Sequence, residues 1–352
     1  MKVNTQILKD MLSKVNNCKP SNILEITNYY RLVTAVDNGI ALCATDGMNY
    51  ITVKHECKCD QDIDVIVKGD QFSKLIMKTT KDTVDLKVTE NYLQVKGNGT
   101  YKVEIVSDEI YPVPDFEGDK VYKVSFDTLS KAITGGKNAK SNVPTDGVLF
   151  SYLIRDNVVI TADAIKVYSR DIKGKGLEDL EILIPPTLAN LLLVLDVEQV
   201  KLIIDEAAGT LQAVGDNVVI TGALAEGADE YPNVEPLLAG EYPNVVELDV
   251  KQVLEALDRL NLFIGLYDKG IIDLVFTDET LTLATVGKSV ETVPYIHPID
   301  DVEFTVSVNS AYLKDLFSAA EGSNIKLCFG YDETIKLITD DSTMLLATAD
   351  EE

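Results

Sequence analysis

Apolar residues recur along this chain in six similar segments. Each opens on a short apolar strand end, passes through a few polar residues, and continues with side chains spaced three and four apart, the period of a helix with one buried face. The copies begin at Val3, Val67, Val124, Ile184, Leu248 and Val308. Their helical faces carry Ile7, Leu8, Met11, Leu12 and Val15; Phe72, Leu75 and Ile76; Phe126, Leu129 and Ile133; Leu188, Leu191, Leu192 and Leu195; Val253, Leu254, Leu257 and Leu260; and Tyr312, Leu313, Leu316 and Phe317.

Alternating or continuous β-branched runs broken at Asn, Asp and Gly follow each helix, which predicts antiparallel strands with tight turns. After the even-numbered helices the runs are alike: Asp82 to Val88, Glu198 to Ile204 and Ser323 to Phe329. After the odd ones come Leu32 to Ala35, Ile40 to Ala44 and Ile51 to Val53, then Val148 to Ile154 and Val158 to Thr161, then Ile271 to Phe276 and Leu281 to Thr285. A helix plus several antiparallel strands, used twice per domain, predicts an α+β fold with two sheets per domain and two helices on one face. Turn-forming clusters at Gly118-Asp119-Lys120 and Gly240-Glu241-Tyr242 set expected domains at 1–120, 121–243 and 244–352.

Charge changes the picture. The chain holds 32 Lys+Arg against 57 Asp+Glu, a formal net charge of −25, which argues against a simple basic nucleic-acid binder or a binder of anionic membranes. The six helical stretches nevertheless hold 13 basic and 9 acidic residues, so the helices are the least acidic part of the chain. Lys74, Lys78 and Lys81 lie opposite the apolar face of the second helix. Lys9 and Lys19 flank the polar side of the first, with Lys14 at its margin, and Lys131, Lys137 and Lys140 decorate the third or the loop after it. Helices gathered on one side of a closed assembly would make that side weakly positive and leave the rest strongly negative.

Other chemistry finds little support. His55-Glu56-Cys57-Lys58-Cys59-Asp60 is the densest group of possible metal ligands, but no second ligand pair follows it. Gly135-Gly136-Lys137-Asn138 lacks the remaining positions of a phosphate loop and reads as a helix end. Only His55 and His297 are present, and the acidic pairs Asp300-Asp301 and Asp340-Asp341 read as solvated turns. No catalytic residue, metal or cofactor is expected. Met1 through Asn17 mixes charges into its apolar residues, and no apolar run approaches the length of a membrane span, so a cytoplasmic protein with reduced thiols is expected.

Several of these segments match a known family. Leu42-Cys43-Ala44-Thr45-Asp46-Gly47, Gly147-Val148-Leu149-Phe150 followed by Thr161-Ala162-Asp163-Ala164, the pairs Tyr111-Pro112 and Tyr231-Pro232, and Val308-Asn309-Ser310-Ala311-Tyr312-Leu313 occur in the order and spacing of family landmarks. The sequence resembles the bacterial DNA polymerase III β sliding clamps and their viral relatives over its whole length. That resemblance implies a head-to-tail homodimer of three-domain subunits. Its ring would enclose double-stranded DNA without reading sequence and tether a DNA polymerase after installation by a clamp loader. The nine lysines named above would face the DNA.

The resemblance also implies a pocket for short partner peptides. Carried over by position, its wall would use Thr145, then Ala162, Ala164, Ile165, Lys166 and Val167, then Pro232 and Leu237, then Asn309 and Tyr312, and finally Leu346 and Ala347. The chain departs from the family there. The usual Thr-Asp-Gly-His-Arg-Leu is Ala162-Asp163-Ala164-Ile165-Lys166-Val167, the usual C-terminal Met-Pro-Met-Arg-Leu is Thr348-Ala349-Asp350-Glu351-Glu352, an adjacent arginine is Pro236, and Val143-Pro144 replaces paired tyrosines. Lys19-Pro20 does match a basic-Pro DNA contact. The alternative expectation is a clamp-like acidic scaffold that binds proteins but not DNA.

Overall fold

The structure is a computed structural model that describes residues 1–35, 39–59, 62–106, 110–265, 269–287, 289–300, 302–331 and 333–349. Asp60, Asp301 and the terminal Asp350 to Glu352 lie outside the described residues.

All six periodic segments are helical: α1 (Thr5–Val15), α2 (Gly69–Lys78), α3 (Phe126–Gly136), α4 (Pro186–Leu192), α6 (Val250–Leu260) and α7 (Ser310–Ala319), with a short α5 (Glu235–Ala239) between α4 and α6. The strand-end polar residue caps the helix that follows in three of them. Asn4 Oδ1 accepts from Gln6 N at 2.8 Å, Asp249 Oδ1 from Gln252 N at 2.8 Å, and Asn309 Oδ1 from Ala311 N at 3.0 Å. Each cap satisfies a first-turn N–H that the helix itself leaves without a partner. The glycine pair ends α3 at Gly136, whose carbonyl then accepts from Ala139 N at 3.2 Å.

One predicted strand is shorter than its apolar run. Val148, Leu149 and Phe150 belong to a 3₁₀ segment, Pro144–Phe150, and the strand starts at Tyr152. Gly147 adopts φ 62° and ψ −124°, a conformation open to glycine, and Ser151 N turns back to Val148 O at 3.1 Å. Local turn chemistry overrides the apolar pattern here.

The chain forms two compact units: Met1–Phe126 with Pro185–Leu224, and Asp127–Ile184 with Ala225–Glu352. In the first unit, twelve strands run edge to edge in one continuous antiparallel order, from Lys2–Asn4 through Thr83–Val88, Tyr92–Lys96, Thr100–Val106, Ile63–Lys68, Tyr29–Ala35, Gly39–Thr45 and Asn49–His55 to Val218–Ala223, Thr210–Val214, Gln199–Asp205 and Lys120–Ser125. Helices α1 and α2 pack together over this sheet, burying Leu8, Leu12, Phe72 and Ile76 completely.

The second unit has an eight-stranded sheet ordered Glu181–Ile184, Tyr152–Arg155, Val158–Ala162, Lys166–Asp171, Ser342–Ala347, Thr334–Ile338, Asn324–Tyr331 and Asn244–Asp249. A four-stranded sheet, ordered Val290–Pro294, Thr280–Thr285, Ile271–Phe276 and Phe304–Asn309, completes it. Helices α6 and α7 pack against one another, and Leu257, Leu313, Phe317, Phe276 and Phe329 share one core. Phe276 and Phe329 stack with ring centroids 3.8 Å apart.

Each unit contains one junction between repeats, built to one rule: the fourth strand of a repeat pairs antiparallel with the last strand of the next. In the first unit Asn49–His55 pairs Val218–Ala223, with Asn49 opposite Gly222 and Val53 opposite Val218. In the second, Lys166–Asp171 pairs Ser342–Ala347, with Lys166 opposite Leu346 and Arg170 opposite Ser342.

Candidate nucleic-acid interface and partner surface

The helix lysines divide by unit. In the first, Lys19, Lys78 and Lys81 are exposed and Lys9 and Lys14 half-buried. Lys9 Nζ donates to Thr79 O at 2.8 Å, Lys19 Nζ to Asn16 O at 2.8 Å, and Lys14 Nζ reaches Asn217 Oδ1 at 3.4 Å, all neutral partners that leave the positive charge uncancelled. Among the described residues, only Lys74 of this set is in an ion pair, with Asp70 at 2.8 Å, and both side chains are exposed, so the pair contributes little.

Lys14 and Lys19 meet in one cleft of about 580 Å³, walled by Ser13 and Asn17 of the α1 region and by Asn190, Leu193 and Val194 of the α4 region. No carboxylate lines it. Two ammonium groups with amide and hydroxyl donors nearby make a seat for an anion such as a phosphodiester. Lys19 also borders a second cleft of about 550 Å³ with Lys68 and Lys74, where Glu25 and Asp70 offset part of the charge. Asn190 and Lys68 were missed by periodicity: α4 carries no basic residue, and Lys68 precedes its helix as the cap.

The second unit differs. Lys137 is exposed. Lys131 is tied to Asp127 at 3.0 Å and to Glu321 at 3.4 Å, and those hydrogen bonds raise its pKa. Lys140, expected among the DNA-facing lysines, is instead buried. It donates to Ser141 O at 3.0 Å and sits 4.8 Å from the centre of the Phe150 ring, and burial lowers its pKa. The turn after α3 folds this side chain inward, so it offers no surface to an external polyanion.

The twelve residues expected to line a partner pocket all fall in the second unit. Asp163 organises the turn that presents them: its Oδ1 accepts from Ile165 N at 2.8 Å and Lys166 N at 2.6 Å. Ala347 N then donates to Ile165 O at 2.8 Å, continuing the strand pairing. Ala162 and Val167 form a buried floor with Leu153, Tyr231, Val234 and Leu345, against which Val148 and Leu149 pack. Around that floor Thr145, Ala164, Ile165, Pro232 and Leu237 are exposed, Ile165 at 40% and Leu237 at 48%. α5, which carries Leu237, had no periodic signature.

Lys166 is not a free cation on this surface. It is buried, with Nζ 4.5 Å from the centre of the Tyr312 ring, 3.4 Å from Asp315 and 3.8 Å from Asp163. Asn309 is turned to its capping role and to Lys269 O at 3.4 Å. Leu346 is a correction: it is fully buried in the other core, with Phe317 and Leu337, and Leu345 occupies the pocket floor in its stead. Successive strand residues point to opposite faces, so a one-residue difference in register exchanges the two. The adjoining Arg155 forks onto Glu181, with Nε and Nη2 at 2.9 and 2.6 Å from Oε1.

Among the described residues, no three His, Cys, Asp or Glu side chains converge to hold a metal. Among the described residues, no helix is long and apolar enough to cross a membrane.

Repeated helix-and-sheet modules joined strand to strand, with lysines on the helices, define the sliding-clamp fold, and the chain has that fold. No protein-family model matches the sequence. The sliding clamp of Bacillus subtilis superposes with a TM-score of 0.88 at 19% identity, covering 100% of this chain and 99% of that one. The DNA polymerase beta subunit of Streptococcus pyogenes gives 0.88 at 15% identity over 99% of both chains. By sequence, the Beta sliding clamp of Bacillus subtilis (strain 168) is 23% identical over 322 residues, 84% of each chain. The chain thus resembles the bacterial polymerase III beta subunits over nearly all of its length.

Proposed function

We propose that this chain is a DNA sliding clamp, a non-catalytic processivity factor that encloses double-stranded DNA and tethers a replicative polymerase in the cytoplasm. The observation that carries the reading is the junction rule. Three repeats in the expected 1–120, 121–243 and 244–352 arrangement have three fourth strands and three last strands, and each unit pairs one of each. The unused pair is Val290–Pro294 and the Thr100 to Glu104 part of Thr100–Val106, both edges without a second neighbour among the described residues. A second copy supplies the missing partner for each, so two chains joined head to tail use every such edge and leave none open.

Apolar side chains support this closure. Tyr101 is exposed on the first edge, and Val290 on the second, with Val286 in the turn before it and Leu262 and Phe263 just after α6, which packs on that strand. Exposed apolar groups on an unpaired strand edge mark an interface rather than a solvated surface.

Enclosure also reconciles the acidic composition with DNA binding. A protein held by six to ten phosphate contacts loses about 10³–10⁵ in affinity between 50 and 200 mM salt, whereas a closed ring is retained by topology. The lysines of α1 and α2, together with the acid-free cleft at Lys14 and Lys19, then centre the duplex without base readout. The surface of Ile165, Leu237 and Pro232 over Ala162 and Val167 takes a short apolar segment of the polymerase or the clamp loader. Its altered residues give it a peptide preference different from that of its relatives.

The test is loading onto nicked circular DNA. We expect a dimer by light scattering, retention on the circle, and loss of the protein when the circle is linearised. Equal retention on open linear DNA, or a monomer that still stimulates a polymerase, overturns the topological reading.

A further inference from the structure

We infer that Cys57 and Cys59 form a redox-active dithiol that closes an internal disulfide by exchange with a low-molecular-weight disulfide. The two sulfurs lie 3.8 Å apart. No other two of the chain's five cysteines are close in sequence, and the remaining three, Cys18, Cys43 and Cys328, are each buried. Burial raises the Cys18 thiol to about 12 and pushes Cys328 up as well, which makes both poor nucleophiles.

The pair is built asymmetrically. Cys57 is half-buried and flanked by the exposed Glu56 and Lys58, whereas Cys59 is buried and donates to Gly39 O at 3.3 Å. Cys59 also borders a cleft of about 570 Å³ with Met1, Lys2, Lys58 and Lys87. Among the described residues that line it, the one carboxylate, Asp85, is engaged by the Met1 ammonium at 3.2 Å. The segment from Glu56 to Cys59 has no regular secondary structure, so no sheet ladder opposes the small movement from contact to a bond of about 2.05 Å.

The exchange then has a defined order. The Cys57 thiolate attacks an external disulfide such as oxidised glutathione, forming a mixed disulfide and releasing one thiolate. Cys59 attacks the Cys57 sulfur, closes the Cys57–Cys59 bond and releases the second. Two protein thiols lose two electrons and two protons, and one external disulfide becomes two thiols. Closure withdraws the hydrogen that Gly39 O accepts from Cys59. This site is independent of the clamp reading.

The full-length chain incubated in oxidised glutathione should lose two hydrogens by intact mass, and a non-reducing peptide map should place the link at Cys57–Cys59. Cys59→Ser should trap the glutathione adduct on Cys57, at a level at least about tenfold above that in the wild type, because only the wild type carries the neighbouring thiol that resolves it. Cys57→Ser should give neither product. Equal adduct in wild type and Cys59→Ser, a mapped link elsewhere, or two-hydrogen loss that survives in Cys57→Ser overturns the inference. The wild-type map decides the matter even where a variant folds poorly.

Discussion

The junction between repeats in the first unit and the one in the second share a backbone and differ in chemistry. At the first, Asp46 Oδ1 accepts from Met48 N at 2.9 Å and Asn49 N at 2.7 Å, and Ala223 N reaches Met48 O at 3.3 Å. At the second, Asp163 does the same for Ile165 and Lys166, and Ala347 N reaches Ile165 O. Equivalent positions carry unlike side chains: Asn49 against Lys166, Tyr50 against Val167, Val53 against Arg170. An aspartate turn and a strand register therefore suffice to set the frame, and the residues hung on it are free to specialise. The first floor is aromatic, with Tyr50 edge-on to Tyr111 at 6.1 Å, and the second is aliphatic.

The sharpest break in the comparison is Arg170. Its side chain is 2% exposed and pairs with Glu321 at 3.1 Å and Asp341 at 3.4 Å, where the first junction has the fully apolar contact of Val53. Only the guanidinium is buried, and Glu321 and Asp341 are 40% and 43% exposed, so water screens the acids left behind and the cost sits at about 3 kcal/mol, the low end for a buried pair. Arg170→Ala should lower stability by about that amount in urea unfolding, and Val53→Ala by about 2 kcal/mol, a cavity cost alone. Equal losses at the two positions would mean that the ionic network adds nothing to the second junction.

Ligand binding should separate the junctions next. Ile165→Asp places a charge on the surface over Ala162 and Val167 and should weaken a consensus clamp-binding peptide by about 10- to 100-fold, about 1.5–3 kcal/mol for one lost apolar anchor. Met48→Asp at the equivalent place in the first unit should leave that affinity unchanged. Fluorescence polarisation with a labelled peptide reads both. A loss at Met48 would move the peptide site to the other junction.

The two units should also differ toward DNA. Lys14→Glu with Lys19→Glu should reduce the slope of log affinity against log salt by about 2, one unit for each phosphate contact. Lys131→Glu should change it little, since Asp127 and Glu321 already engage that ammonium. Titrations on short duplexes at several salt concentrations make the measurement.

The helices and most strands were legible because both periods are written in apolar residues: α1, α2, α6 and α7 bury the side chains that their spacing places on one face. What escaped was decided by contacts distant in sequence or by turns. Lys140 looks like its neighbours Lys131 and Lys137 until the turn after α3 tucks it over Phe150. Leu345 and Leu346 are adjacent and alike, and only pairing with Lys166–Asp171 assigns them to different cores. Arg170 reads as a surface residue in an alternating strand, and its acids arrive from the turn after α7 and a hairpin far along the chain. Grouping by contact also draws on both halves of the middle repeat, which repetition alone does not express.

The smallest effect should be a pH dependence at Arg31 and Asp64, an arginine–carboxylate pair on neighbouring strands of the first unit as Arg155 and Glu181 are in the second. Arg31 Nε and Nη2 lie 2.9 and 2.6 Å from the two Asp64 oxygens, and the guanidinium holds that carboxyl below the usual carboxylate range. A carboxylate whose folded pKa is depressed contributes stability that is present above its unfolded value of about 4 and is lost as pH falls through the folded value. Both side chains are partly solvated, so the contribution is held to under about 1 kcal/mol. Asp64→Asn should therefore flatten the acid limb of a stability–pH profile below about pH 4 and leave the neutral region nearly level. A variant whose acid limb matches the wild type would show that Arg31 gains as much from water as from Asp64, and that the forked geometry fixes strand register without adding free energy.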